Sequence, residues 1–98
     1  AISAYKSAIQ IKPDLHEAFY NLGNAYKSNN QLDLAISAYK SAIQIKPDKH
    51  EAFLNLGNAY RRNNQLDLAI SAYKRAIQIK SDLHEAYLNL GDAYKSNN

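Results

Sequence analysis

A 34-residue period runs through this sequence. Lys12-Pro13-Asp14-Leu15-His16-Glu17-Ala18-Phe19 returns as Lys46-Pro47-Asp48-Lys49-His50-Glu51-Ala52-Phe53, and again as Lys80-Ser81-Asp82-Leu83-His84-Glu85-Ala86-Tyr87. Between residues 14–47 and 48–81 only the pairs 15/49, 20/54, 27/61, 28/62, 41/75 and 47/81 differ, so 28 of 34 positions are identical. A period of this size specifies a stacked array, because one unit is too small to bury its own apolar face and must share it with its neighbours. The 98 residues make about 2.9 units, close to the minimum of roughly three that an array needs. Any function then belongs to a surface that several units build together.

Each unit divides into two helical stretches. Ile is the only β-branched residue type in the chain, which favours helix over strand. Asp14, Asp48 and Asp82 each open an Asp-x-x-Glu pattern that closes on Glu17, Glu51 and Glu85, which predicts a capping box. Pro13 and Pro47 stop the preceding helix. The Asn pairs 29–30 and 63–64 punctuate the other boundary, since Asn tolerates the left-handed conformation that ends one helix and can cap the next. The spacing predicts helices over about 1–11, 14–28, 31–45, 48–62, 65–79 and 82–96. Those that follow the Asp are termed A helices and the others B helices. The chain is thus a single array, with a B helix of a partial repeat in 1–13, full repeats in 14–47 and 48–81, and an A helix of a partial repeat in 82–98. Gly23, Gly57 and Gly91 recur inside the A helices, where glycine costs about 1 kcal/mol relative to alanine. A repeated cost needs a packing reason, and a close helix crossing supplies one.

Composition narrows the classes of function. Apolar residues make up 46% and charged residues 21%, which describes a folded domain rather than a disordered segment. The absence of cysteine removes disulfides and thiolate metal sites and leaves the compartment open. No signal-peptide pattern and no apolar run near 18 residues occurs, so no membrane-spanning segment is predicted. The net charge is +3. Its cations gather at helix C-termini (Lys12, Lys46 and Lys80 after B helices; Lys27, Arg61, Arg62 and Lys95 after A helices), where they complement the helix dipole; this reading is favoured over a nucleic-acid patch. His16, His50 and His84 occur once per repeat, too far apart for one metal with bonds of about 2 Å. A catalytic site needs a unique constellation, and a near-perfect repeat offers none, so neither an enzyme nor a cofactor or metal is expected.

The pattern resembles the tetratricopeptide repeat (TPR). One unit gives Phe19, Leu22-Gly23, Tyr26, Ala35, Tyr39, Ala42 and Pro47; the next gives Phe53, Leu56-Gly57, Tyr60, Ala69, Tyr73 and Ala76, with Ser81 in place of Pro. The C-terminal copy gives Tyr87, Leu90-Gly91 and Tyr94, and the N-terminal fragment gives Ala1, Tyr5, Ala8 and Pro13. Phe or Tyr stands where the family often has Trp, and Asn30 or Asn64 stands where it usually has Gly. The resemblance implies an all-α, right-handed α-solenoid of antiparallel helix pairs, about six helices, with A helices lining a concave groove and B helices forming the back. It further implies a non-catalytic scaffold that binds an extended peptide segment in that groove.

Residues at the family's groove-lining positions form rows. Asn21, Asn55 and Asn89 make one, and Asn24, Asn58 and Asp92 the next. Tyr20, Leu54 and Leu88 make an apolar row; Lys27, Arg61 and Lys95 make a basic edge; Glu17, Glu51 and Glu85 make the opposite edge. The edges lie about 15 Å apart along a helix. A primary amide both donates and accepts, so it can hold a peptide backbone without reading side chains. Neighbouring helices are roughly 8–10 Å apart, and three extended residues cover about 10 Å, so one Asn per repeat meets every third peptide unit. The competing role for these amides is to join neighbouring repeats. The apolar row is either a track for a partner's apolar side chains or half-buried packing. The family's carboxylate clamp for acidic chaperone tails maps onto Tyr20, Asn24, Asn55, Glu85 and Asn89. Both amides are kept, all three cations are absent, and Glu85 would repel a carboxylate, so this subset is rejected.

Two alternatives remain. One is RNA binding by analogy with pentatricopeptide repeats, which the strict period and Leu-Gly pair fit poorly. The other is a structural or designed array with no natural ligand. The start at Ala1, inside a B helix, suggests a piece of a longer array or an engineered one. The unpaired first helix (Ile2, Tyr5, Ile9) and last helix (Tyr87, Leu90, Gly91, Tyr94) predict head-to-tail self-association.

Overall fold

A computed structural model describes residues 1–97; Asn98, the last position of the predicted partial repeat, lies outside the described residues. Among the described residues six helices follow one another: α1 (Ile2–Ile11), α2 (His16–Ser28), α3 (Leu32–Ile45), α4 (His50–Arg62), α5 (Leu66–Ile79) and α6 (His84–Ser96). The α2–α3 and α4–α5 pairs form the full repeats, and α1 and α6 are the flanking B and A helices. Each helix packs on its sequence neighbours, α2 also touches α4, and α4 also touches α6, whereas α3 touches neither α1 nor α5. A helices therefore converge on one side of the array and B helices splay on the other, which curves the array around the A face. The molecule measures 43 × 25 × 17 Å.

The helix ends at Asn29 and Asn63 follow from the Asn pairs. Asn30 and Asn64 take φ of 59° and 61°. The Gln31 N–H then donates to the Tyr26 carbonyl at 2.8 Å and the Asn30 N–H to the Lys27 carbonyl at 3.0 Å. The second repeat copies both bonds, from Gln65 to Tyr60 and from Asn64 to Arg61. This is the Schellman closure, which satisfies carbonyls that the helix end leaves without partners. The second Asn of each pair thus ends the A helix and does not cap the B helix; Gln31 and Gln65 occupy the N-cap positions, without a side-chain cap bond.

The predicted capping boxes do not form. α2, α4 and α6 begin at His16, His50 and His84, two residues after the Asp, with Leu15, Lys49 and Leu83 at the N-cap and no side-chain cap bond. A turn comes first in every repeat, at residues 13–14, 47–48 and 81–82, and it forms with Ser81 as it does with proline. In the first repeat the Leu15 N–H closes it on the Lys12 carbonyl at 3.4 Å, and Pro13 and Pro47 are pre-set for its second position. The Asp side chains turn toward the preceding Lys instead: Lys46 lies 3.9 Å from Asp48 and Lys80 lies 3.2 Å from Asp82. The Lys80 hydrogen bond and charge hold the Asp82 carboxyl below its ordinary value. Glu17, Glu51 and Glu85 stay in the first turn, where they complement the dipole.

The core is a layer between helices. Its largest fully buried side chains are Tyr39 and Tyr73, one per B helix. Each ring lies across the glycine of its own repeat. A Cβ on Gly23 would stand 2.6 Å from the Tyr39 ring, and one on Gly57 would stand 2.6 Å from the Tyr73 ring. The glycine is therefore required by a close approach. Around the rings pack Leu22, Tyr26, Ala35, Ile36, Leu56, Ala59, Tyr60, Ala69 and Ile70, and a large apolar side chain buried this way contributes about 2 kcal/mol.

Candidate functional site

Asn21, Asn55 and Asn89 were expected to be either ligand contacts or ties between repeats, and the structure ties Asn55 and Asn89 to the neighbouring A helix. Asn55 on α4 reaches back to α2: Lys27 Nζ donates to its Oδ1 at 2.7 Å, and its Nδ2 donates to the Tyr20 hydroxyl at 2.8 Å. The same Nδ2 donates to the Glu51 carbonyl of its own helix at 3.1 Å. At the next joint, Asn89 Nδ2 on α6 donates to Asn58 Oδ1 on α4 at 3.1 Å, and Arg61 lies 3.7 Å from Asp92. Asp92 is the one acidic member of the 24/58/92 row, and its partner is the Arg that replaces Lys27.

Asn24 and Asn58 also bind within their own repeats. The Tyr39 hydroxyl donates to Asn24 Oδ1 at 2.5 Å, and the Tyr73 hydroxyl to Asn58 Oδ1 at 2.6 Å. These amides thereby satisfy the polar end of each buried ring. Burial raises the Tyr73 hydroxyl to about 12, and burial together with the nearby Tyr20 pushes Tyr39 well above the ordinary value. Burial, then Arg62, lowers the Lys27 ammonium below its ordinary value.

The residues that face solvent form the rest of the A face. Glu17, Glu51, Glu85, Asn21 and Leu88 are exposed, Leu54 is partly so, and Leu88 keeps 70% of its surface open. No A helix precedes α2 among the described residues, and Asn21 correspondingly lacks the back-reaching position that Asn55 has. The basic edge is less available than its sequence suggests, because Lys27 is tied to Asn55 and Arg61 to Asp92; Lys95 is exposed. Between α2 and α4 a cavity of about 180 Å³ opens at the groove mouth, lined by Glu17, Tyr20, Lys49, Glu51 and Ala52.

Two residues that reasoning from the family pattern passed over take part. Lys49 lines that cavity. Arg62 ties α4 to the preceding repeat, donating to the Lys27 carbonyl at 3.4 Å and to Asn30 Oδ1 at 3.2 Å. Both stand at positions where the repeats differ, 15/49 and 28/62, and that difference was the available signal. A third set of ties runs along the edge: Asn63 donates to Asp33 at 3.2 Å and Asn97 to Asp67 at 2.9 Å. Among the described residues no three or more His, Asp or Glu gather in a way that could hold a metal ion, and no helix is long and apolar enough to cross a membrane.

Comparison with known proteins agrees with this architecture. A family profile described as TPR repeat matches residues 1–30, 23–64 and 57–98. Two crystal structures of MamA superpose with TM-scores of 0.94 and 0.93 at 30% and 31% identity. They share 97% and 98% of this chain, which spans 56% and 52% of those proteins, about half their length. The first TPR of Spaghetti (RPAP3), in a structure bound to the HSP90 peptide SRMEEVD, superposes with a TM-score of 0.94 at 20% identity, over 97% of this chain and 75% of that one. A search of curated proteins gives no match. Repeats of this kind are typically non-catalytic modules for protein–protein interaction. On its repeat pattern, helix pairing and profile matches along its whole length, the chain belongs to the TPR repeat family.

Proposed function

We propose that this chain is a non-catalytic scaffold that binds an extended peptide segment along its A-helix face. The observation that carries this reading is the exposed track of Leu88 and partly exposed Leu54, flanked by amides and lying on the side where three A helices converge. Such a track supplies apolar contact, while Asn21, Asn55 and Asn89 supply polar groups at one per repeat. Asn89 keeps one N–H and its carbonyl oxygen beyond its bond to Asn58, and Asn55, whose two N–H groups are both engaged, keeps one acceptor site on Oδ1, so tying the repeats and touching a peptide are compatible roles. The bound HSP90 peptide of the Spaghetti structure shows that this fold can hold a peptide. An acidic tail of that kind binds poorly here, because Glu85 stands in a clamp position and Lys27 is already engaged by Asn55. The face is read as a protein surface rather than a nucleic-acid one: two of the three cations on its basic edge, Lys27 and Arg61, are tied to Asn55 and Asp92, and three carboxylates line its other edge.

Binding is tested by calorimetric titration with one peptide selected from a random display library against the chain. Leu88→Lys is expected to weaken binding at least tenfold, about 1.4 kcal/mol, and to leave thermal unfolding unchanged because Leu88 is mostly exposed. Lys40→Glu, on the exposed side of a B helix, serves as the control and leaves affinity unchanged. Equal affinity for Leu88→Lys and the parent would remove the A face as the site.

A further inference from the structure

Between the two full repeats 28 of 34 positions are identical, so the Asn rows and the Glu edge offer a bound peptide much the same groups at every A helix. A peptide shifted by one repeat meets a similar surface, and a single register needs a difference in affinity between the two placements. Three of the differing positions lie at the joint between α2 and α4, as Tyr20, Lys27 and Lys49. There the hydrogen bonds run in one direction. The Lys27 ammonium only donates, so the Asn55 atom 2.7 Å from it is Oδ1. Asn55 Nδ2 then uses both of its N–H groups, on the Tyr20 hydroxyl at 2.8 Å and the Glu51 carbonyl at 3.1 Å. The Tyr20 oxygen is an acceptor in this chain, and its own hydrogen finds no acceptor among the described residues. Tyr20 lines the cavity of about 180 Å³ between α2 and α4, with Glu17, Lys49, Glu51 and Ala52. Glu17 and Glu51 are exposed there, Glu51 3.4 Å from His50, and the two carboxylates outnumber the Lys49 ammonium. At the corresponding place between α4 and α6, Leu54 and Leu83 replace Tyr20 and Lys49, and neither side chain has a hydrogen bond to offer.

We propose that the cavity between α2 and α4 is the subsite that sets the register of the bound peptide. The Tyr20 hydroxyl donates to a peptide carbonyl, and Glu17 and Glu51 take a cationic nitrogen of the same segment, from a Lys or Arg side chain or from a free N-terminus. This rests on the peptide-scaffold reading above and adds the chemistry of the ligand: a cationic group at this joint, and apolar side chains toward Leu54 and Leu88. An ammonium at the head of a hydrogen-bond chain polarises the groups after it, so Lys27, acting through Asn55, makes the Tyr20 O–H a stronger donor. Lys49 opposes the cation and tempers the site; its counterparts in the other copies are Leu15 and Leu83.

The test titrates the peptide selected by display in three forms: as selected, with its Lys or Arg changed to Gln, and with its N-terminus acetylated. One of the two changes is expected to lower affinity at least about tenfold, the loss of a charged hydrogen bond, and the one that does so names the source of the cation. Tyr20→Phe, which keeps the ring near Tyr39, should lower affinity about fivefold. Glu17→Gln, on an exposed side chain that leaves the fold intact, should weaken the cationic form and not the neutral one, and Lys49→Leu should strengthen the cationic form. A nitroxide at one end of the peptide reads the register. In the parent it broadens amide signals at one end of the A face; in Tyr20→Leu combined with Lys49→Leu, where the joint carries the same two residues as the next, the broadening spreads along the face. Equal affinity of the three peptide forms, or broadening that stays at one end in the double variant, would overturn the inference. If Leu88→Lys still weakens binding in that case, the A-face reading stands without it; unchanged binding to Leu88→Lys, or a parent that binds no peptide, would remove both.

Discussion

At the scale of single residues, identical positions of the repeat hold the buried core, and the differing ones lie at its margin, as Tyr20 and Leu54 do, or outside it. Tyr39 and Tyr73, Gly23 and Gly57, Ala35 and Ala69 cannot vary independently, because each ring needs its glycine and its small neighbours. The differing pairs 15/49, 20/54, 27/61, 28/62 and 41/75 fall on the A face, on the ties between repeats, or on the outer surface, where Arg75 lies over the Phe53 ring. The rings also give the fold a pH limit. Tyr73 is neutral in the folded state up to about 12, against an ordinary value of about 10. A folded value above the unfolded one means that the stabilisation is fully present below about pH 10 and is lost as pH rises through about 12. Chemical denaturation at a series of pH values should therefore show stability declining in that window. Tyr73→Phe loses the bond to Asn58, at a cost of about 1 kcal/mol near neutral pH, and should decline less steeply; parallel curves for parent and variant would show that Tyr73 carries none of the alkaline loss.

At the scale of elements, the number and type of the helices, their C-terminal ends and the starts of the B helices were legible in the sequence, and the starts of the A helices were not. The C-termini are fixed by local chemistry that the Asn pairs display directly. The A-helix starts depend on a competition between two local signals: Asp14, Asp48 and Asp82 could each cap a helix, but the same residues enter a turn, with Pro13, Pro47 or Ser81 before them, and the helix begins after it. That outcome is set by backbone geometry, not by residue type alone. Likewise the Asn rows were visible, but whether an amide reaches a neighbouring repeat or solvent depends on the offset between adjacent A helices, which no single repeat encodes. The Schellman closure makes a sharp prediction for α4. Asn64 holds φ of 61°, a conformation that costs most L-residues about 1–2 kcal/mol and Asn or Gly less. Asn64→Gly should keep or raise the thermal midpoint, and Asn64→Ala should lose about 1 kcal/mol, both read by circular dichroism. Equal midpoints for the two variants would show that the turn does not depend on that conformation.

At the scale of the whole molecule, stability and recognition share one face. The ties from Lys27, Tyr20, Asn58 and Arg61 to the following A helix set the spacing of the repeats, and that spacing fixes how far apart Leu54, Leu88 and the amides stand. The array form and the small crossing residues were readable from the period alone, whereas the partial neutralisation of the basic edge was not, because it arises from contacts between successive repeats. The central claim is that the A face, built by α2, α4 and α6 together, is where a peptide binds. Nuclear magnetic resonance of the isotope-labelled chain titrated with the selected peptide tests it most directly. Amide shifts are expected to concentrate at Tyr20, Asn21, Leu54, Asn55, Leu88 and Asn89. Shifts concentrated instead on the exposed sides of α3 and α5, around Lys40 and Lys74, would contradict the account.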